Sequence, residues 1–271
     1  MKMKKVFFVN VLLISFVFVT FSWADYKAIY QQGDKEKALT EFIKEVENEL
    51  KKPLKMSLFI YLKYFGFIGK IYENKDYDFG ISFCDKCVNE QQPEKYVNKC
   101  NVKFGIKNTI ESYCLRSKAI FHARKGEYEK AIKSYDDAVT LSPKHPWNYH
   151  VFSLFLSTID NEKGRDGNKA LELAKKSYEL FPDHNSLNAM ASAYAELGDF
   201  NLAIEKQNEA IAKIKKRKLK IGDTTDYVSS LYPEIGNYVD SEGDLSKMIE
   251  LYDKRLQSYQ NNKPWRMSIS K

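Results

Sequence analysis

The sequence predicts an all-α protein, an α-solenoid of about six antiparallel helical hairpins. The clearest hairpin lies in residues 185–214, where apolar residues at helical spacing flank the turn Gly198-Asp199-Phe200. The same turn, followed at a fixed offset by a small or apolar residue, recurs along the chain. Such a hairpin leaves one apolar face uncovered and must stack on its neighbours, so we expect one extended array.

The first 24 residues have the pattern of a secretory signal. Three lysines precede an uncharged run over residues 6–24, which ends in Ser22-Trp23-Ala24 before Asp25. We expect cleavage after Ala24, and hence an exported protein of the periplasm or the extracellular space. The alternative is a retained membrane anchor formed by residues 6–24, because the run approaches the length that spans a bilayer.

The charge of the exported part is too balanced to indicate nucleic-acid binding. The whole chain has 43 Lys and Arg against 36 Asp and Glu, and loss of the three N-terminal lysines leaves a formal charge of +4. We therefore expect no nucleic-acid partner, and membrane contact only if the N-terminal segment is retained. The basic run 213–220 indicates either an anionic partner or a solvated helix end.

The register of the hairpins follows from the residue that opens each second helix. In chain order these residues are Ala38, Gly80, Ala131, Ala170, Ala203 and Met248. The interval before Ala170 is long, and we place the extra residues in 161–167, at a hairpin turn. The interval after Gly80 is longer still, which predicts an excess loop over residues 88–108. We divide the chain into degenerate N-terminal repeats with a cysteine-bearing loop (25–108), core repeats (109–217) and a degenerate C-terminal repeat or capping helices (218–271).

Residues 112–145 and 184–217 combine small residues, tyrosines and a turn glycine, and the first ends at Pro143. In these features the exported part of the chain resembles the tetratricopeptide repeat family, and residues 30–42 are also similar to Sel1-like repeats. The resemblance implies a right-handed superhelix whose first helices line a concave groove for a protein or peptide. Carried onto this sequence, that groove consists of Tyr113, Arg116, Ile120, Arg124, Trp147, His150, Leu154, Asn185, Asn188 and Glu196.

The groove residues suit an extended peptide, because guanidinium and amide groups satisfy peptide carbonyls and aromatic rings add contact area. They depart from the family's carboxylate-clamp pattern. The resemblance implies a non-catalytic scaffold or adaptor, in cell-envelope assembly or secretion for an exported protein. A third possibility is a purely structural role, as a capping or oligomerising subunit whose groove is filled by its own helix at residues 251–265.

Four cysteines, Cys84, Cys87, Cys100 and Cys114, are predicted to form disulfides in an exported protein. Residues alone leave three pairings open. In arrays of the resembling family, the helices that carry Cys87 and Cys114 pack side by side, which favours Cys87–Cys114 and, for the loop, Cys84–Cys100. The alternative is a redox-active Cys84-x-x-Cys87 in an envelope enzyme or accessory subunit.

No set of residues indicates catalysis, a cofactor or a metal site. His122, His145, His150 and His184 do not stand with a Ser, Cys or carboxylate at catalytic spacing. No nucleotide-binding glycine loop or metalloprotease motif occurs, and a zinc site needs a second closely spaced cysteine pair. We therefore predict that the protein is not an enzyme.

Overall fold

The computed structural model describes residues 25–50, 66–89, 109–216 and 246–267. These residues form helices joined by turns, with one isolated parallel bridge between Ile159 and Met267. The all-α solenoid is confirmed. The predicted signal (1–24), the excess loop beyond Asn89 with Cys100, and residues 217–245 lie outside the described residues.

Five helical hairpins and one further helix make up the described stack. The helices are α1 (Asp25–Gln31), α2 (Lys35–Leu50), α3 (Tyr77–Asn89), α4 (Thr109–Arg124), α5 (Tyr128–Leu141), α6 (Pro146–Thr158), α7 (Gly167–Leu180), α8 (His184–Glu196), α9 (Phe200–Lys215) and α10 (Ser246–Gln260). A helical segment at residues 66–73 packs against α3, where the rings of Phe67 and Phe83 are in contact. The predicted insertion lies between α6 and α7, where a 3-10 turn covers Glu162–Gly164.

Left-handed residues fix the turns of the hairpins. Gly33, Gly126 and Gly198 have φ values of 92°, 76° and 82°, a region that glycine enters without steric cost. Each stands five positions before the small residue that opens the second helix. In the second hairpin the left-handed position is Lys75, with φ 55°. Lys75 adopts the same left-handed conformation as the three glycines. The second hairpin therefore turns at the equivalent position although the residue there is not glycine.

Small residues lie where adjacent helices approach most closely. Ala131, Ala170 and Ala203 are fully buried, as expected of residues that allow close helix contact. At Gly80 the approach is closer still, because a Cβ atom there would lie 2.6 Å from the Phe121 ring of α4. The predicted register is therefore correct for these four positions.

The final helix takes a different place from the one predicted. Tyr252, Arg255 and Tyr259 of α10 contact successive turns of α8 in the same chain direction. A second helix of a hairpin runs antiparallel to the first helices, whereas α10 runs parallel to α8. The assignment of Met248 to a second helix is therefore wrong. Met248 and Tyr252 pack into the groove between α8 and α9, where the first helix of a further repeat would lie.

One disulfide ties the second hairpin to the third. Cys87 near the end of α3 and Cys114 in α4 are bonded, with their Cα atoms 6.5 Å apart, within the range for disulfides. This is the predicted pairing. The expected Cys84–Cys100 bridge is not present, because Cys84 is a free thiol buried in the apolar cluster between these helices.

We expect Gly80→Ala to lower the free energy of unfolding by about 1–3 kcal/mol, because Phe121 is itself buried and cannot move aside freely. The matched control is Gly69→Ala, in the helical segment 66–73, where an added Cβ meets nothing within 4 Å. Alanine there should leave stability unchanged or raise it by about 0.5–1 kcal/mol. Urea unfolding followed by circular dichroism measures both. Equal effects of the two substitutions would contradict the close approach at Gly80.

We expect Cys87→Ser to lower the free energy of unfolding by about 3 kcal/mol, because it opens a loop of 27 residues in the unfolded chain.

Cys84 should resist alkylation in the native protein and react after denaturation, since its thiol is buried. Mass spectrometry after alkylation, with and without urea, measures the reactivity. Rapid native labelling of Cys84 would contradict its burial.

Candidate functional site

The predicted groove is not an open surface in the described part of the chain. Seven of the ten candidate residues are buried: Tyr113, Arg116, Ile120, Trp147, His150, Leu154 and Asn188. The other three, Arg124, Asn185 and Glu196, are half-buried. The expectation that all ten line a groove open to a partner is therefore corrected.

Arg116 holds three helices together and is closed to a partner. Its side chain is 1% exposed, and its guanidinium donates a hydrogen bond to the Asn148 side-chain oxygen of α6. Ser112 donates to the same oxygen at 3.0 Å. The Asn148 amide donates in turn to the Ala138 carbonyl of α5 at 2.7 Å. Arg116 is thus part of a buried polar network that links α4, α5 and α6.

Asn188 is covered by the final helix. Arg255 of α10, itself buried, donates a hydrogen bond of 3.0 Å to the Asn188 side-chain oxygen. Ser192 and Tyr259 bond one turn further along, with their hydroxyls 3.0 Å apart. The surface formed by the first helices of the hairpins is called the first-helix face below. At α8 this face is filled by the chain's own C-terminal helix, in agreement with the third possibility drawn from the sequence.

Residues 261–267, named the C-terminal strap below, continue from α10 across the stack. Arg266 reaches Glu196 at the end of α8, with 2.6 Å between Arg266 Nη1 and Glu196 Oε2. Arg165, which follows the 3-10 turn, contacts the same carboxylate from 3.0 Å. The Met267 amide donates to the Thr158 carbonyl of α6 at 2.6 Å. Glu196 is thus a predicted groove residue that binds a cationic segment, and that segment belongs to the same chain.

Sequence reasoning missed Asn148, Arg255 and Arg266. Arg255 had a detectable signal, because it lies on the apolar stripe of α10 between Tyr252 and Tyr259, where an arginine needs a buried partner. Arg266 had no comparable signal, since its partners Ser157 and Glu196 are distant in the sequence.

Three histidines come together at the N-terminal ends of α6 and α8. Burial, together with the nearby positive charge of Arg116, lowers the pKa of His145 to about 3. Burial and Arg116 also lower the pKa of His150, to about 4, although the Asp183 carboxylate opposes this shift. Burial opposes ionisation of Asp183, but the hydrogen bond from the Ser186 N–H and the adjacent histidines bring its pKa below the usual value. His145 and His150 are therefore neutral at pH 7.

Among residues 25–50, 66–89, 109–216 and 246–267, no group of three or more His, Cys, Asp or Glu side chains is arranged to hold a metal ion. The helices of this part of the chain are too short or too polar to cross a membrane.

The stacked hairpins, with small residues at the crossings and left-handed turns, define a helical-repeat protein. Residues 111–145, which include most of α4 and all of α5, match the tetratricopeptide repeat family. Heat shock protein STI1 of Saccharomyces cerevisiae is 34% identical over 96 residues, which are 35% of this chain and 15% of that protein. Residues 111–145 thus match one tetratricopeptide repeat, and the chain spans a small part of this relative's length. Proteins with such repeats generally act as non-catalytic scaffolds for protein–protein interaction.

We expect the free energy of unfolding to decrease as the pH falls below 6.5. The unfolded chain protonates His145 and His150 near pH 6.5, whereas the folded protein does so only near pH 3 and pH 4. The stability contributed by the neutral imidazoles is complete above pH 6.5 and is lost toward pH 4. The loss is about 1 kcal/mol per histidine and pH unit. Urea unfolding at pH 7, 6 and 5 measures this slope.

His150→Gln should reduce the slope by about one proton. Lys144→Gln, which removes an exposed charge near the same helix end, is the control and should leave the slope unchanged. An unchanged slope in His150→Gln would show that this imidazole is not the group that titrates.

Proposed function

We propose that the protein is an exported, non-catalytic adaptor that holds an extended segment of a protein partner, in cell-envelope assembly or secretion. One observation carries the proposal: the first-helix face of α8 already binds polypeptide through side chains predicted to do so. Asn188 accepts from Arg255, and Glu196 pairs with Arg266. The amide and carboxylate chemistry of this face is therefore suited to polypeptide.

The disulfide supports the export part of the proposal. Cys87–Cys114 joins two hairpins, and bonds of this kind persist in oxidising compartments and are rare in the cytosol. The basic and then apolar N-terminal segment adds the signal that such a route requires. The balanced charge of the exported part favours a protein partner over a nucleic acid.

A redox-active Cys84-x-x-Cys87 is the second candidate, and it has less support. Burial raises the pKa of the Cys84 thiol far above its ordinary value, so the reactive thiolate is disfavoured. Cys87 is bonded to Cys114 of the next hairpin and not to Cys84. This arrangement fits a structural disulfide better than a catalytic pair.

Site-specific photocrosslinking in the cells that produce the protein tests the adaptor function. A photoreactive amino acid at Asn185, half-buried at the start of α8, should capture a partner protein. The same amino acid at Glu129, exposed on the second helix α5, should capture none. Mass spectrometry of the crosslinked bands identifies the partner. A partner captured equally from both positions, or from neither, would contradict binding through the first-helix face.

A further inference from the structure

The C-terminal end of α6 depends on a distant part of the chain for its hydrogen bonds. The last carbonyls of any helix lack partners within that helix. Here the Phe155 and Leu156 carbonyls accept from the amides of Ile159 and Asp166, which lie in the segment between α6 and α7.

The next two carbonyls are served by the C-terminal strap. The Ser157 carbonyl accepts from the Arg266 guanidinium at 3.2 Å, and the Thr158 carbonyl accepts from the Met267 amide at 2.6 Å. A helix C-terminus also carries partial negative charge, which favours a cation at this place.

The strap binds three groups in this region: the carbonyls of Ser157 and Thr158, and the carboxylate of Glu196. These three groups are called the seat below. The Glu196 side chain is 14% exposed and contacts Arg165 as well as Arg266. The ion pair with Arg165 therefore orients the carboxylate for its contact with Arg266. The seat therefore has the chemistry to bind an arginine together with the main-chain amide that follows it.

Apolar surface on both sides of the seat selects the neighbouring residues. Met267 is buried against Phe155, Leu156 and Ile159 at the end of α6. Trp265 packs against a cluster that includes Ala195 and Tyr259. The occupant thus has the pattern aromatic, arginine, apolar.

The strap is held less firmly than the helix before it. Between Asn262 and Met267 it has no regular secondary structure, and among the described residues it bonds to the stack mainly through Arg266 and Met267. The Trp265 Nε1–H is buried without an acceptor in the described part of the chain, which weakens the fit. Helix α10, by contrast, has its own polar and apolar contacts with α8 and α9. Segments with few such contacts open separately from the rest of a protein.

We propose that the seat is a binding site for an extended partner segment of the pattern aromatic–arginine–apolar, and that residues 265–267 are its resident occupant, which the partner segment displaces. The inference rests on the proposed function, because it takes the first-helix face as the receiving surface. The chain's own tail is thus a competitive inhibitor of partner binding.

The test uses a fluorescent peptide of residues 261–271 and the full chain after residue 24. In the variant Arg266→Ala with Met267→Ala the resident occupant is weakened and the seat is intact. Fluorescence anisotropy should show the peptide bound at least tenfold more tightly by this variant than by the unaltered protein. A peptide with alanine in place of its arginine should bind at least tenfold more weakly than the parent peptide.

Two further substitutions in the same variant locate the binding. Glu196→Gln removes the seat's charge and should weaken peptide binding at least tenfold. Glu129→Gln makes the same chemical change at an exposed position of α5 and should have no effect. Peptide binding that is absent from the strap variant, or equally affected by both substitutions, overturns the proposal.

The second measurement is hydrogen exchange on the unaltered protein, so its result does not depend on whether a variant folds. The Met267 amide should exchange by a local opening, with protection at least tenfold lower than the most protected amides of α10. Equal protection would mean that the strap leaves only when the stack unfolds, and this overturns displacement. The peptide experiment uses only segments of this chain, so its outcome does not depend on whether crosslinking captures a partner protein. A seat that binds the peptide while Asn185 captures no partner would refute the adaptor function alone.

Discussion

Close contact between neighbouring helices at small residues is the constraint on which the structure depends. A hairpin has too little surface to cover its own apolar stripe, so each one is stable only against the next. Ala131, Ala170 and Ala203 are fully buried at these contacts. Gly80 marks the place where two hairpins lie too close even for a methyl group. The disulfide between α3 and α4 crosses the same junction and fixes two hairpins that the helices already bring together.

Two buried arginines link first helices across the stack. Arg116 of α4 bonds to Asn148 of α6, and Arg255 of α10 bonds to Asn188 of α8. A buried guanidinium is costly unless it is bonded, so each pair admits few alternative registers of the helices it joins. The same residue types at the same positions would serve an open groove in a protein whose first helices were uncovered. Here they connect consecutive layers, and this explains why a face rich in Arg and Asn is largely closed.

The C-terminal end of the described stack is both covered by α10 and bound by the strap that follows it. Helix α10 covers the apolar groove between α8 and α9, as a first helix of another repeat would. The strap then returns to the end of α6 and satisfies carbonyls that the helix itself leaves open. Glu196 lies between two guanidiniums at this point. In the displacement that we propose, the strap and a partner segment compete for the same contacts, so occupancy depends on the relative affinity and local concentration of the two.

Local patterns in the sequence determined the hairpins up to α9, with their turns and register, because these depend on residues within a few turns of one another. The offset between Gly126 and Ala131, repeated at Gly198 and Ala203, was enough to predict the hairpins. Only the tertiary structure decided which side of the array is free. Arg255 and Asn188 are 67 residues apart, and Arg266 and Ser157 are 109 apart. No periodicity within a helix encodes such contacts, since they form only when the chain folds back over a surface that the earlier repeats have already built.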